Sequence, residues 1–303
     1  MERWFKWTLL EAGSKVVVRA LQKVLGVASA GLPGIALVIG ITGLTQACMA
    51  TIALRRLAVP ISSFANRRGA VFFGLGAVAS NLFVFGAFLN GGEVIVTTFI
   101  GTLSIIPGAF IDHFVFKHRL TFRHILGVVL GIVAGYLVLG APSLKAFLAM
   151  PLWVWLSFGL AFSLAINQWI TQSIKDIHPY EKNFWGGSAT LVCAVVLMVC
   201  TGTESLSRIS IHSYLFVVCA FGIGVVTFFM WAFNLFAYKD GAYISLKKLV
   251  MNASYMALVF VLGAVFFSER VTVMALMGFA LYVTAIAVMD DKAWKVLRSF
   301  VSV

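Results

Sequence analysis

Charge is scarce in this chain. Only 11% of its 303 residues are Asp, Glu, Lys or Arg, whereas 61% are hydrophobic. A soluble domain carries about 25% charged residues, so there is too little polar side chain here to cover a particle in water. That excludes a soluble enzyme and a disordered chain. Cysteine is scarce as well. Cys48, Cys193, Cys200 and Cys219 all fall inside apolar runs and form no CxxC pair. A disulfide framework therefore has no support, and the thiols read as buried small hydrophobes. Histidine is limited to 5 residues. His113, His118 and His124 cluster without an HExxH motif or a nucleophile elbow. The convergent acid, base or metal groups that a membrane-embedded enzyme needs are missing, and neither a metal nor a cofactor is expected.

What the chain has in quantity is long apolar runs, with a mean hydropathy of +1.00. A hydrocarbon core about 30 Å thick needs about 20 apolar residues per helix. Nine runs meet this: Leu32–Leu54, Ala70–Leu89, Glu93–Phe116, Arg123–Ala141, Pro151–Thr171, Phe184–Gly202, His212–Ala237, Ala242–Phe267 and Val271–Asp290. They do not alternate polar and apolar residues, so they predict helices, not the strands of a membrane barrel. Met1 to Ala30 differs. Lys15, Arg19 and Lys23 recur there at i, i+4 and i+8 among apolar residues, and no uninterrupted apolar core precedes a cleavage site. Taken alone, this segment reads as an amphipathic helix lying at the membrane interface.

The net charge of +12 would suit nucleic acid if it formed one patch, but it does not. One set of loops holds Arg55, Arg56, Arg67, Arg68, Lys117, Arg119, Arg123, Lys175, Lys182 and Lys239, and the tail adds Lys292, Lys295 and Arg298. The alternate loops hold Lys145, Arg208 and Arg270. Thirteen against three predicts that the richer set and the C-terminus are cytoplasmic. The first strong span must then run inward, which calls for an earlier crossing within Met1 to Ala30.

The chain also resembles itself. Phe85–Pro107 matches Phe233–Tyr255 in pattern: each ends a long helix, breaks at a polar turn and resumes. His118-Arg119-Leu120-Thr121 matches Glu269-Arg270-Val271-Thr272, each opening a helix rich in Gly and Ala. The offset is half the chain, giving five helices per half. An odd number places the halves in opposite orientations, the inverted repeat of secondary transporters.

The sequence FFSERVTVMALMGFALYVTAIAVM, and FKHRLTFRHILGVVLGIVAGYLVL in the first half, resemble the repeat ends of the drug/metabolite transporter superfamily, EamA type. Pro107 falls where that family has a proline in its fourth helix, and His118 stands where it usually has Glu. The resemblance implies an all-α integral membrane fold of about ten helices. Nine are the clear spans and one is a short or amphipathic N-terminal helix. They would form two inverted five-helix repeats, 1–141 with its first helix truncated against the family pattern, and 142–303 with the tail. It also implies alternating access around a central cavity lined by the third, fourth, eighth and ninth helices.

Polar groups within the spans are the candidate site, since an ionisable side chain at membrane depth costs about 2.5–3.5 kcal/mol on insertion scales. Ser245, Lys248, Asn252 and Tyr255 share a face, and Thr97, Ser104 and Pro107 share the matching face in the first half. Lys248 is assigned to the cavity, whereas Lys247 is expected to snorkel to the interface. Asn81 is a further lining candidate, and Asn81 and Asn234 also read as interhelical hydrogen-bond partners. Lys15, Arg19 and Lys23 admit two readings: a face on anionic headgroups, or a second basic stripe in the cavity. Glu93 reads as a helix-start carboxylate. Gly127, Gly131 and Gly135 form a double GxxxG for close helix packing.

The expected function is a secondary transporter, not an enzyme, that moves a small organic metabolite of anionic or zwitterionic character across an inner (plasma) membrane. A transport-dead membrane scaffold is the alternative, with a membrane-embedded enzyme behind it. The expected partners are the small-molecule substrate, the lipid bilayer, and a coupling proton or counter-substrate, with a homodimer left open. Lys248→Ala is expected to reduce uptake into proteoliposomes; unchanged uptake would remove Lys248 from the site.

Overall fold

The structure is a computed structural model that describes residues 3–60, 62–115, 117, 121–202, 213–241 and 244–289. At positions 112, 124, 213, 244–246, 248, 249 and 289 it describes the backbone alone. The described residues form twelve helices and no strand: α1 Arg3–Ala28, α2 Leu32–Leu57, α3 Phe64–Leu89, α4 Val94–Thr102, α5 Ile105–Phe114, α6 Phe122–Val138, α7 Leu144–Leu148, α8 Leu152–Ser173, α9 Pro179–Thr201, α10 Ser213–Lys239, α11 Ile244–Phe266 and α12 Val273–Met289. Six segments are long and apolar enough to cross a bilayer, Val94–Ile111 across α4 and α5 being one of them. The chain is an all-α, multi-pass membrane protein.

The outer surface is apolar, as lipid requires. Val199, Val192, Phe162 and Val261 are each more than half exposed. Cys48 and Cys200 are exposed too, and Cys193 and Cys219 half-buried, which corrects the expectation that the thiols are core residues. A small hydrophobe suits a lipid-facing surface as well as it suits a core.

Helix α1 corrects the interfacial reading. It runs for 26 residues, about 39 Å at 1.5 Å per residue. Thr8, Glu11, Arg19 and Gln22 are buried on one face, while Leu10, Val17 and Val27 are 47–59% exposed on the other. The helix is amphipathic, but inside out. Its polar face points into the bundle and its apolar face outward, because here lipid replaces water as the outer solvent. Residues of α1 pack against α10, α11 and α3.

The main contacts are α2 with α9, α6 with α12, α1 with α10 and α3 with α8, followed by α3 with α9 and α2 with α10. Without a hydrophobic drive between helices in lipid, close approach depends on small residues. A Cβ on Gly43 would sit 2.7 Å from the Leu191 nitrogen and 2.8 Å from the Gly187 oxygen. One on Gly187 would lie 3.0 Å from the Gly43 oxygen. The α2–α9 crossing is therefore backbone against backbone.

Helices α4 and α5 form one apolar segment interrupted at Leu103-Ser104. The break frees the Thr102 carbonyl, which accepts a hydrogen bond from the Tyr282 hydroxyl at 2.9 Å. A neighbouring helix thus satisfies backbone that the segment no longer satisfies itself. At the other end of α4, the Glu269 carboxylate accepts the Val94 and Ile95 amides. Glu93 is the N-cap residue itself. Burial and the nearby Glu269 push its carboxyl above the usual carboxylate range, against the opposing pull of Lys23.

Gly43→Leu is expected to force α2 and α9 apart and lower stability by about 1–3 kcal/mol, the usual cost of overpacking. Gly13→Ala, at a site with nothing within 4 Å, is expected to leave it unchanged or slightly raised. Thermal unfolding of both variants in detergent checks the pair.

Candidate functional site

Near the middle of the bundle is a cavity of about 150 Å³. Its walls come from α1 (Glu11, Lys15, Arg19, Gln22), α3 (Phe73, Ser80, Asn81), α4 (Thr98, Gly101, Thr102), α8 (Leu160, Asn167, Gln168), α10 (Thr227, Trp231, Asn234) and α11 (Met251, Asn252, Tyr255), with Thr42 of α2 and Ser104 at the break.

One buried ionic cluster organises one side. Glu11 is completely buried. Its Oε1 lies 2.8 Å from Lys15 Nζ, and its Oε2 lies 2.8 Å from Lys247 Nζ. The Asn234 amide donates to Oε1 at 2.9 Å. Lys247 is 1% exposed and stands 4.2 Å over the Tyr238 ring. Lys182, also fully buried, donates to Thr171 Oγ1 at 3.0 Å and lies 3.7 Å over the Phe73 ring. Moving these ions out of water costs several kcal/mol each, which only close pairing and extra hydrogen bonds offset.

A second line of polar contacts runs from α1 to α3 and α11. Arg19 donates through Nε to the Tyr255 hydroxyl at 3.0 Å and through Nη1 to Gln22 at 3.2 Å. Gln22 in turn donates to Asn81 at 2.9 Å. Asn252 donates to the Tyr282 hydroxyl at 2.9 Å, the same hydroxyl that holds the Thr102 carbonyl. Between α3 and α8, Ser80 and Ser163 are 2.7 Å apart, and Asn167 donates to Ser80 at 3.1 Å. Phe73 and Trp231 meet edge to face with centroids 4.6 Å apart and supply an aromatic patch.

Of the residues singled out in the sequence, Asn252, Tyr255, Ser104, Asn81, Lys15 and Arg19 are brought together on this cavity. Asn234 is both a hydrogen-bond partner and a wall residue. Thr97 is buried but off the lining, and Thr98 takes its place. The reason is the interruption after Thr102. Seven-residue spacing from Thr97 to Ser104 puts both on one face only of a continuous helix. The Ser245 and Lys248 side chains lie outside the described residues.

Two lysines correct the sequence reading. Lys247 does not snorkel, because Glu11 offers it a partner inside the bundle. Lys182, assigned to a loop, is instead enclosed at the start of α9. Glu11 itself went unnoticed. Its signal was the i, i+4 spacing to Lys15, but the contact with Lys247 spans most of the chain.

No protein-family model matches the chain, and no curated protein matches it. Among solved structures, a crystal structure described only as that of a protein is similar, with a TM-score of 0.62 over 93% of this chain and 97% of that one. At 16% identity the likeness establishes a shared fold and nothing more.

Glu11→Gln and Lys247→Met are each expected to lower stability by about 3–5 kcal/mol, since each strands a buried charge. The double variant is expected to lose less than the sum, because Lys15, its side chain 20% accessible, can rehydrate. A double-mutant cycle on unfolding in detergent measures the coupling; additive losses would mean the pair is not coupled.

Proposed function

We propose that this chain is a secondary transporter that carries a small organic solute through the bundle by alternating access, as its resemblance to the drug/metabolite transporter superfamily, EamA type, implies. The observation that carries the reading is a cavity within the bundle, apolar over much of its lining but set with buried polar and charged groups, to which α1, α3 and α4 contribute from the first half of the chain and α8, α10 and α11 from the second. A fixed site between two halves is what alternating access needs.

The packing supports two equivalent halves. Let α1, α2, α3, α4/α5 and α6 exchange with α8, α9, α10, α11 and α12. The α1–α10 contact then becomes α8–α3, α3–α9 becomes α10–α2, and α1–α11 becomes α8–α4, all of which occur. The α2–α9 and α6–α12 contacts map onto themselves. In this reading residues 1–141 and 142–303 are inverted five-helix repeats, ten membrane helices in all, with α7 near the join. The interrupted α4/α5 segment beside the cavity is also of a kind that transporters use at their sites. The Lys and Arg distribution supports a cytoplasmic C-terminus, and the resemblance to that superfamily supports an inner membrane.

Proteoliposomes containing the chain, incubated with a pool of small polar metabolites and read by mass spectrometry, are expected to accumulate a few solutes saturably. Asn252→Leu removes a wall amide and its link to Tyr282, and is expected to lower that uptake roughly tenfold. Equal retention with and without the chain would overturn the proposal.

A further inference from the structure

The cavity's charges discriminate between an anion and a zwitterion, provided that the cavity is the substrate site of the transporter just proposed. The strongest partner for a zwitterion's ammonium group in a buried site is a free carboxylate. Glu11 is the one carboxylate on the cavity among the described residues, and it is not free. Oε1 already meets Lys15 at 2.8 Å and Asn234 at 2.9 Å, and Oε2 meets Lys247 at 2.8 Å. An incoming ammonium would have to displace lysines tethered to the same bundle.

Positive charge, by contrast, is in surplus. Arg19 is 8% exposed, and its described hydrogen bonds go to Tyr255 and Gln22, both neutral. Lys182 has the neutral partners Thr171 and Phe73, and among the described residues no carboxylate forms an ion pair with it. On the cavity wall Arg19 and Lys15 thus stand against one carboxylate, Glu11, which Lys247 engages as well, in a medium where an uncompensated charge is expensive. A guanidinium held by two neutral partners retains donors suited to an oxyanion, which it binds in a fork.

We propose that the cavity takes a small organic oxyanion, a carboxylate or a phosphate ester, whose head group sits on Arg19 and Lys15. The amides of Gln22, Asn81 and Asn167 receive its polar body. A zwitterion binds less well than the anion, because its ammonium finds no free carboxylate to pair with.

Five probes of one carbon skeleton test this on the purified chain in nanodiscs, read by tryptophan fluorescence, since Trp231 lines the cavity. Glycerate and glycerol phosphate carry the two oxyanions, serine is the zwitterion, aminopropanediol the cation and glycerol the neutral control. Saturable binding of glycerate or glycerol phosphate is expected, and the stronger of the two identifies the head group. Serine, aminopropanediol and glycerol are expected not to saturate. Arg19→Gln is expected to weaken the anion roughly tenfold or more, and Arg19→Lys to recover part of the loss. Failure of both anions to bind, or equal binding of serine or aminopropanediol, overturns the inference. The wild-type panel decides the matter even if an Arg19 variant does not fold. Anion binding without uptake into proteoliposomes would sink the transport reading and leave this one standing. Uptake confined to serine or the amine would do the reverse.

Discussion

The carboxylate of Glu11, held between Lys15 and Lys247, is the contact on which the interior depends. It turns the polar face of α1 inward and joins α1 to its neighbour α11. Without it, a helix bearing Glu, Lys, Arg and Gln on one face would be better placed at the membrane surface. With it, the same residues become the wall of a cavity. Lipid makes this arrangement possible, because the apolar face of α1 can be left outside without penalty.

Two features of the surrounding helices keep that cavity open and shaped. The α2–α9 crossing at Gly43 and Gly187 brings two backbones together, while α1 packs on α10 and α3 on α8 around the cavity. The interruption between α4 and α5 turns Thr98 and Thr102 toward the interior and frees a carbonyl. Tyr282 takes up that carbonyl and, through Asn252, links α4, α12 and α11. Stability and site are therefore built from the same polar groups. A substitution at Asn252 or Glu11 reaches both.

Much of the architecture was legible in the residues alone. The apolar runs marked the long helices closely at most ends, since length and hydropathy are local properties and lipid permits few alternatives, but α3 and α9 begin at Phe64 and Pro179, ahead of the runs that start at Ala70 and Phe184. The polar stripe was partly legible. Asn252 and Tyr255 lie three apart on an unbroken helix, and both reach the cavity. Thr97 was misplaced because its face was projected through the break at Leu103-Ser104, although Pro107, which has no N–H for the Leu103 carbonyl four residues back, is a signal of it. Lys182 was misread because a lysine near a helix start looks solvated until its neighbours are known.

The amino-acid sequence by itself determined that this is a multi-helix membrane protein. It also determined where its helices lie, and that basic residues are too numerous to be ordinary membrane-embedded side chains. Those conclusions follow from composition and from periodicity within single segments. Only the tertiary structure decided which way α1 faces and which lysine meets Glu11. It also decided that charges placed at the interface by their local context lie inside. Residues 11 and 247 are brought together by packing of α1 on α11, and nothing within either helix carries information about that partner.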